Sequence, residues 1–301
     1  MGRTNATACY RELGAELRKQ RESVGRTGDD ISRVTGWHRS RVTRIEKGQL
    51  EISVVDVIHY LGACKIFATQ AKEILELCTE AERQVGYWLS PHGEWLEDSL
   101  SSLIYHESTA DCSTSYEPMV IPGLLQTRLY ARVLIERTPG WSPETVEAAI
   151  RLREQRQRIL HRPQPGDFTF YIHEQALRLR VGSTNAMQEQ LLKLLFVGGL
   201  PQITLRVLPA SAQAQALFGA SFRLFEYHDH NPLVYLDHPW TGIFIEEKEF
   251  VANYRRILPK ISSVALGEAE SRVFIADLAN ALDQGSRTHH AGIYQLEEEH
   301  L

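Results

Sequence analysis

The stretch from Gly36 to Gly48, Gly-Trp-His-Arg-Ser-Arg-Val-Thr-Arg-Ile-Glu-Lys-Gly, leaves the chain few folding choices. Two glycines able to stop helices bracket a segment in which Trp37, Val42 and Ile45 fall at inward helical spacing, while Arg39, Ser40, Thr43 and Arg44 fall on the opposite side. Just before it, Thr27 to Thr35 predicts a second short helix, with Thr27 as N-cap, Ile31 and Val34 turned inward, and Gly36 permitting a sharp turn. Two short helices meeting steeply suit a duplex: the first rests against the phosphate backbone and the second lowers its N-terminal half into the major groove. Arginine's planar fork pairs bidentately with guanine O6 and N7, and Ser40 and Thr43 have hydroxyls for base edges or phosphates. The competing expectation is a solvated basic face in an ordinary bundle.

From Leu13-Gly14-Ala15-Glu16-Leu17-Arg18 to Ile45-Glu46-Lys47-Gly48 the chain resembles the XRE-type (Cro/repressor-like) helix-turn-helix family. The resemblance implies that Arg39, Ser40, Thr43 and Arg44 occupy base-facing places. With Arg41, Lys47, Thr27 and Gln49 they make up the residues expected to contact double-stranded DNA. Two departures stand out. Where the family often carries a phosphate-binding Gln, this chain has Gly28 followed by Asp29 and Asp30, which would repel phosphate. His38 stands where a capping Ser is usual and is expected to be the poorer cap.

Charge supports a DNA-facing head. Residues 1–50 hold 11 Lys and Arg against 6 Asp and Glu, whereas the remainder holds 22 against 32, so only the head gains from counterion release. A length of 301 residues predicts about two domains. Cys9, Cys64, Cys78 and Cys112 lack C-x-x-C spacing, which argues against a zinc site or disulfide framework and suits a reducing cytoplasm. The N-terminus lacks the apolar core of a signal peptide, and no run approaches the ~18 apolar residues of a membrane span, so no membrane association is expected.

Along the chain, helices are expected over about Tyr10–Ser23, the two short segments above, a capped helix from Ser53-Val54-Val55-Asp56, and Thr69–Gln84. These five define an all-α DNA-binding domain over 1–85. Val85–Gly93, where Gly and Pro interrupt helical periodicity, predicts a hinge region that, being aromatic rather than Ser-rich, packs rather than swings freely, and Glu94–His106 predicts a helix. Two prolines then force extended backbone, and Gly123 opens a helix with Leu125, Leu129 and Val133 inward. Pro122-Gly123-Leu124-Leu125-Gln126-Thr127, with Tyr130-Ala131, resembles the P-G-L-L-Q-T-x-x-Y-A signature of an antitoxin-like, functionally uncharacterised C-terminal domain found mainly in actinobacterial XRE regulators. That family is often encoded beside small proteins, which implies a small partner protein. The segment's two readings, domain docking and direct partner binding, stand level.

Ser142-Pro143-Glu144 starts a helix to about His161, with Arg151, Arg153, Arg156 and Arg158 on its outer face; a salt-bridged surface is favoured there over a second DNA contact. Strands follow at Phe168–Ile172 and Gln202–Leu208 around a helix at Ala186–Phe196. Ser221–Tyr227, Leu233–Leu236 and Gly242–Ile245 then predict an antiparallel meander. Helices at Lys248–Ala265, interrupted by Pro259, and Glu268–Leu282 close an α+β domain over 94–283 with a largely antiparallel sheet; 284–301 reads as a flexible tail. That larger domain is expected to bind an effector or partner and to hold a homodimer.

Glu226, His228, Asp229, His230, Asp237 and His238 are the one cluster with metal-ligand chemistry, with His228 and His230 on one strand face. His-Asp-His-Asn-Pro is also good turn composition, and no metal or cofactor is expected. No H-E-x-x-H, G-x-S-x-G, Walker A or G-x-G-x-x-G pattern occurs, so the chain reads as no enzyme. The expected function is sequence-specific transcriptional regulation; the alternative is an antitoxin-like protein whose main act is partner binding, with DNA binding for autoregulation.

Overall fold

The computed structural model describes residues 7–83, 86–91, 100–212, 220–238 and 241–298. The first part of the helix expected from Glu94, and Val85, His92 and Gly93 of the expected hinge, lie outside them. The chain forms two compact units, Met1–Ser90 with Glu226–Val251, and Pro91–Phe225 with Ala252–Leu301.

The first unit contains α1 (Ala8–Ser23), α2 (Gly28–Thr35), α3 (Arg39–Glu46), α4 (Val54–Ala63) and α5 (Ala68–Arg83). Leu13 and Leu17, one turn apart on α1, are fully buried with Ile31, Val42, Ile45, Val57, Tyr60 and Leu61. Thr27 and Ser53 each form a capping box with an Asp three residues on, Asp30 and Asp56, so both helix starts are fixed by side chains. Gly36 turns the chain between α2 and α3 at φ 72°, a left-handed conformation that favours glycine. At Gly14, α1 approaches α3 so closely that a Cβ would lie 2.3 Å from the Ile45 carbonyl oxygen. Val34, expected inward, is 59% exposed, because a two-turn helix offers the core one narrow stripe and Ile31 fills it.

The same unit holds β1 (Tyr87–Pro91), β6 (Leu233–His238) and β7 (Thr241–Ile245), ordered β1-β7-β6. β6 and β7 pair antiparallel, with Tyr235 opposite Phe244. In the aromatic hinge region β1 buries Trp88 and stacks it on Phe244 at 4.8 Å between ring centroids. The Gly86 carbonyl accepts the N–H groups of Glu246 (2.9 Å) and Glu247 (3.0 Å). Glu246 Oε2 accepts the Ala8 N–H at the start of α1 (2.7 Å), and the Arg11 guanidinium lies 4.1 Å from the Tyr227 ring centroid. Glu226–Val251 is thus compact with the helical head, although the sequence groups it with the larger domain.

In the second unit β2 (Cys112–Glu117), β3 (Asp167–His173), β4 (Ile203–Leu208) and β5 (Phe222–Glu226) are ordered β5-β2-β3-β4. β2 with β3 and β3 with β4 run parallel, in register Tyr116–Tyr171 and Tyr171–Arg206. Parallel neighbours need long crossovers, which α7 (Arg128–Ile135) and α8 (Pro143–Gln157) supply for the first pair, and α9 (Glu174–Arg178) and α10 (Thr184–Val197) for the second. α6 (Ser101–Thr109), α11 (Lys248–Val264) and α12 (Glu268–Glu298) complete the α-helices of the described residues, and α11 continues through Pro259. Phe170, Ile172, Leu191, Leu194, Val207 and Ile275 lie at the centre of this core. The fold class is the expected one, an all-α N-terminal region followed by an α+β region with a mostly antiparallel sheet.

Two expectations shift here. Gly123–Leu125 is a separate 3-10 turn, and Thr127 caps α7 afresh. That resets the helical phase, so Tyr130, Ala131 and Ile135 are buried and Leu129 is 39% exposed. Arg156, expected outside, is buried against Glu107. The helical backbone of α12 runs to Glu298.

Candidate nucleic-acid interface

α3 is preceded by its N-cap His38, whose Nδ1 accepts the Ser40 N–H (3.2 Å) and lies 2.8 Å from Ser40 Oγ. The imidazole therefore caps the helix, with its ring nitrogen taking the place of a serine oxygen. Val42 and Ile45 are about 1% exposed, so the helix is locked in rotation. Arg39, Ser40, Thr43 and Arg44 stand on its solvent side, with Lys47 and Gln49 exposed just beyond its end. Thr43 Oγ1 donates to the Arg39 carbonyl (3.2 Å). Arg41 lies apart from this row. Its guanidinium sits 4.3 Å from the Trp37 ring centroid and donates to Asp56 Oδ1 (2.8 Å), tying α3 to the start of α4.

The inner side of α3 carries a polar fastening. Glu46 accepts two bonds from Arg21 of α1, Nε to Oε1 at 2.8 Å and NH2 to Oε2 at 3.0 Å, and one from the Tyr60 hydroxyl of α4 at 2.5 Å. The Arg21 and Glu46 side chains are only 12% and 10% exposed. The carboxylate hydrogen bond pushes the Arg21 guanidinium pKa up, and burial pushes the Tyr60 phenol up. Glu46 belongs to the same helical stripe as Val42, four residues earlier, and that spacing was the available signal for its burial.

The two acids of α2 separate in role. Asp30 Oδ2 accepts the Thr27 N–H (2.9 Å) and hydroxyl (2.6 Å), and Oδ1 accepts from Arg33 (3.0 Å). Those bonds hold its carboxyl pKa down at about 2. Thr27 is consequently engaged in its cap, with its residue surface exposed. Asp29 instead forms an ion pair with Arg39 NH1, joining α2 to the first residue of α3.

The Pro-Gly-Leu-Leu-Gln-Thr segment is absorbed by its own unit. Gln157 donates to the carbonyls of Gly123 (3.2 Å) and Gln126 (2.8 Å), Gln190 donates to that of Leu125 (2.8 Å), and Gln126 donates to that of Ile121 (2.7 Å). Leu124, Leu125, Gln126 and Thr127 are all under 5% exposed. Side-chain amides thus satisfy carbonyls that an irregular buried segment would otherwise leave unpaired. The arginines of α8 are likewise engaged within the unit: Arg153 donates to Gln126 Oε1 (2.5 Å), and Glu107 takes both Arg156 (2.7 Å) and Arg223.

His228 and His230 lie in a bend between β5 and β6, so they do not alternate along a strand face. Among the described residues no group of three or more His, Cys, Asp or Glu is arranged to hold a metal ion. The four cysteines are free thiols; burial pushes Cys64 up to about 11 and Cys78 up to about 12. Among the described residues no helix is long and apolar enough to cross a membrane.

A glycine-turned pair of short helices presenting a basic polar face defines a helix-turn-helix DNA-binding regulator, and residues 12–66 match the helix-turn-helix domain family. Residues 100–277, more than half of the chain, match the domain of unknown function DUF5753, and the chain belongs to that family. No curated protein matches it. Among solved structures it is similar to the restriction-modification controller protein C.AhdI from Aeromonas hydrophila, at 26% identity over 21% of this chain and 97% of that one, with a TM-score of 0.20.

Proposed function

We propose that the protein is a sequence-specific transcriptional regulator whose recognition helix is α3, with Arg39, Ser40, Thr43 and Arg44 facing bases. Lys47, Gln49 and Thr27 contact the flanking backbone, and Arg41 orients the helix through Trp37 and Asp56. One observation carries the reading. The polar row stands exposed on a helix whose opposite side, Val42 and Ile45, is buried, so the row's direction is set before DNA arrives. The excess of Lys and Arg over residues 1–50 supports it, since phosphate contact by the head displaces counterions.

The region over 94–283 binds an effector or partner protein and holds a homodimer. A single head offers one short helix and few phosphate contacts, too few to select one site in a genome, and a second tethered head multiplies its effective concentration. The decisive experiment selects duplexes from a randomised library with the full-length protein, then measures Arg39→Ala and Arg44→Ala on the winning sequence. Each substitution is expected to weaken that complex roughly tenfold and to relax discrimination at one base pair. Two variants that bind the selected duplex as tightly as wild type would remove α3 as the reading element.

A further inference from the structure

Asp29 is the element of this surface that the base-reading role leaves unexplained. An acid facing DNA repels phosphate, yet Asp29 is not spent on capping, because Thr27 and Asp30 complete that box without it. Its carboxylate takes Arg39 NH1, and Asp29 and Arg39 are both substantially exposed, at 65% and 51%. In water such a pair is worth little. Two features give it a different weight here. Arg39 is the first residue of α3, the end of the helix that enters the groove first. The side chain also lies across Gly28, where a Cβ would sit 3.0 Å from Arg39 Nε and 3.2 Å from Cζ. The guanidinium is thus bounded by a bare glycine backbone on one side and a carboxylate at one end, and no partner occupies its Nε or NH2 among the described residues.

We propose that Asp29 is a positioning residue that sets which base Arg39 reads. Tethered at NH1 and resting on Gly28, the fork keeps its remaining donors together for two acceptors on one base edge, the arrangement of guanine O6 and N7. An untethered arginine at the same place has a phosphate within reach in many rotamers and binds without regard to sequence. Once the duplex excludes water the ion pair is screened less, so the tether strengthens when the choice of base is made. Gly28 is part of the device, since a Cβ there would press on Nε and Cζ and move the guanidinium by a few tenths of an ångström.

This inference deepens the reading of α3 and depends on Arg39 contacting a base. The test uses the full-length protein, the duplex it selects from a randomised library, every single base-pair change of that duplex, and poly(dI-dC) as nonspecific competitor. Arg39→Ala is expected to flatten discrimination at one G·C pair. Asp29→Asn is expected to flatten discrimination at that pair alone by about tenfold while raising affinity for poly(dI-dC), and to have no further effect on specificity in the Arg39→Ala background. Gly28→Ala, which leaves both charges in place, is expected to produce a smaller loss at the same pair and none elsewhere. If Asp29→Asn shifts all duplexes equally, or tightens the selected complex with its preference intact, Asp29 only repels or masks, and the positioning role is wrong. If Arg39→Ala leaves every preference unchanged, the base-reading role of Arg39 fails first and the inference falls with it. Circular dichroism on each variant confirms that α2 and α3 remain folded.

Discussion

At the scale of single residues, the direction of the polar row depends on a few buried atoms behind it. Glu46 joins α1, α3 and α4 through Arg21 and Tyr60, so Glu46→Ala strands a largely buried guanidinium and is expected to cost about 3 kcal/mol in denaturant unfolding. Glu46→Gln keeps one acceptor oxygen and should lie between the two. Gly14→Ala places a methyl against the Ile45 carbonyl, and the backbone shift it forces is expected to cost about 2 kcal/mol and to turn α3. A stable Gly14→Ala protein with unchanged DNA preference would show that α1 and α3 yield at that crossing. Asp30 contributes through its capping bonds; because its pKa is lowered, that contribution is present above its ordinary value of 3.8 and is lost as pH falls through about 2.

Among elements, the hairpin of β6 and β7 and the segment from Gly123 to Thr127 depend most on distant parts of the chain. Glu246 bonds the Ala8 N–H from a half-buried position, and desolvation is the main cause of its raised carboxyl pKa. For an acid whose folded value is raised, the linked stabilisation is complete below the unfolded value and disappears as pH rises through the folded one. Wild type should therefore gain stability, relative to Glu246→Gln, as pH falls through and below the carboxylate range; thermal melts of the two proteins across that range compare them directly. In the second unit, Gln190 accepts the Thr127 N–H (2.7 Å) and donates to the Leu125 carbonyl (2.8 Å) with no exposed surface. Gln190→Leu leaves both backbone groups unpaired and is expected to cost about 2 kcal/mol, with hydrogen exchange accelerating first at Thr127. A variant as stable as wild type would mean that water replaces the amide.

For the molecule as a whole, the proposal of a dimer held by the larger region makes a measurable claim. Light scattering of the full-length protein should give twice the mass of one chain, and the selected duplex should carry a palindrome with half-sites roughly 34 Å apart or a multiple of that. A monomer that occupies a single half-site with full affinity would overturn it. Truncation to residues 1–85 is expected to leave α1 exposed where Glu246 and Tyr227 pack, so that fragment should melt below the full-length protein.

Local pattern alone carried the helix-turn-helix. Its helices are short, Thr27 caps the first of them, its turn needs Gly36, and Val42 and Ile45 sit one turn apart; each of these signals acts within a few residues. The parallel pairing of β2, β3 and β4 was not legible that way, because a strand's apolar pattern does not name its neighbour or its direction. Nor was the burial of Arg156, whose four neighbouring residues look like a solvated face until Glu107, far away in sequence, arrives to pair with it. Asp29 is the sharpest case. By composition it is an acid that repels DNA, and only the turn at Gly36 brings it to Arg39, because an ion pair is made by distance in space and sequence spacing alone does not supply that distance.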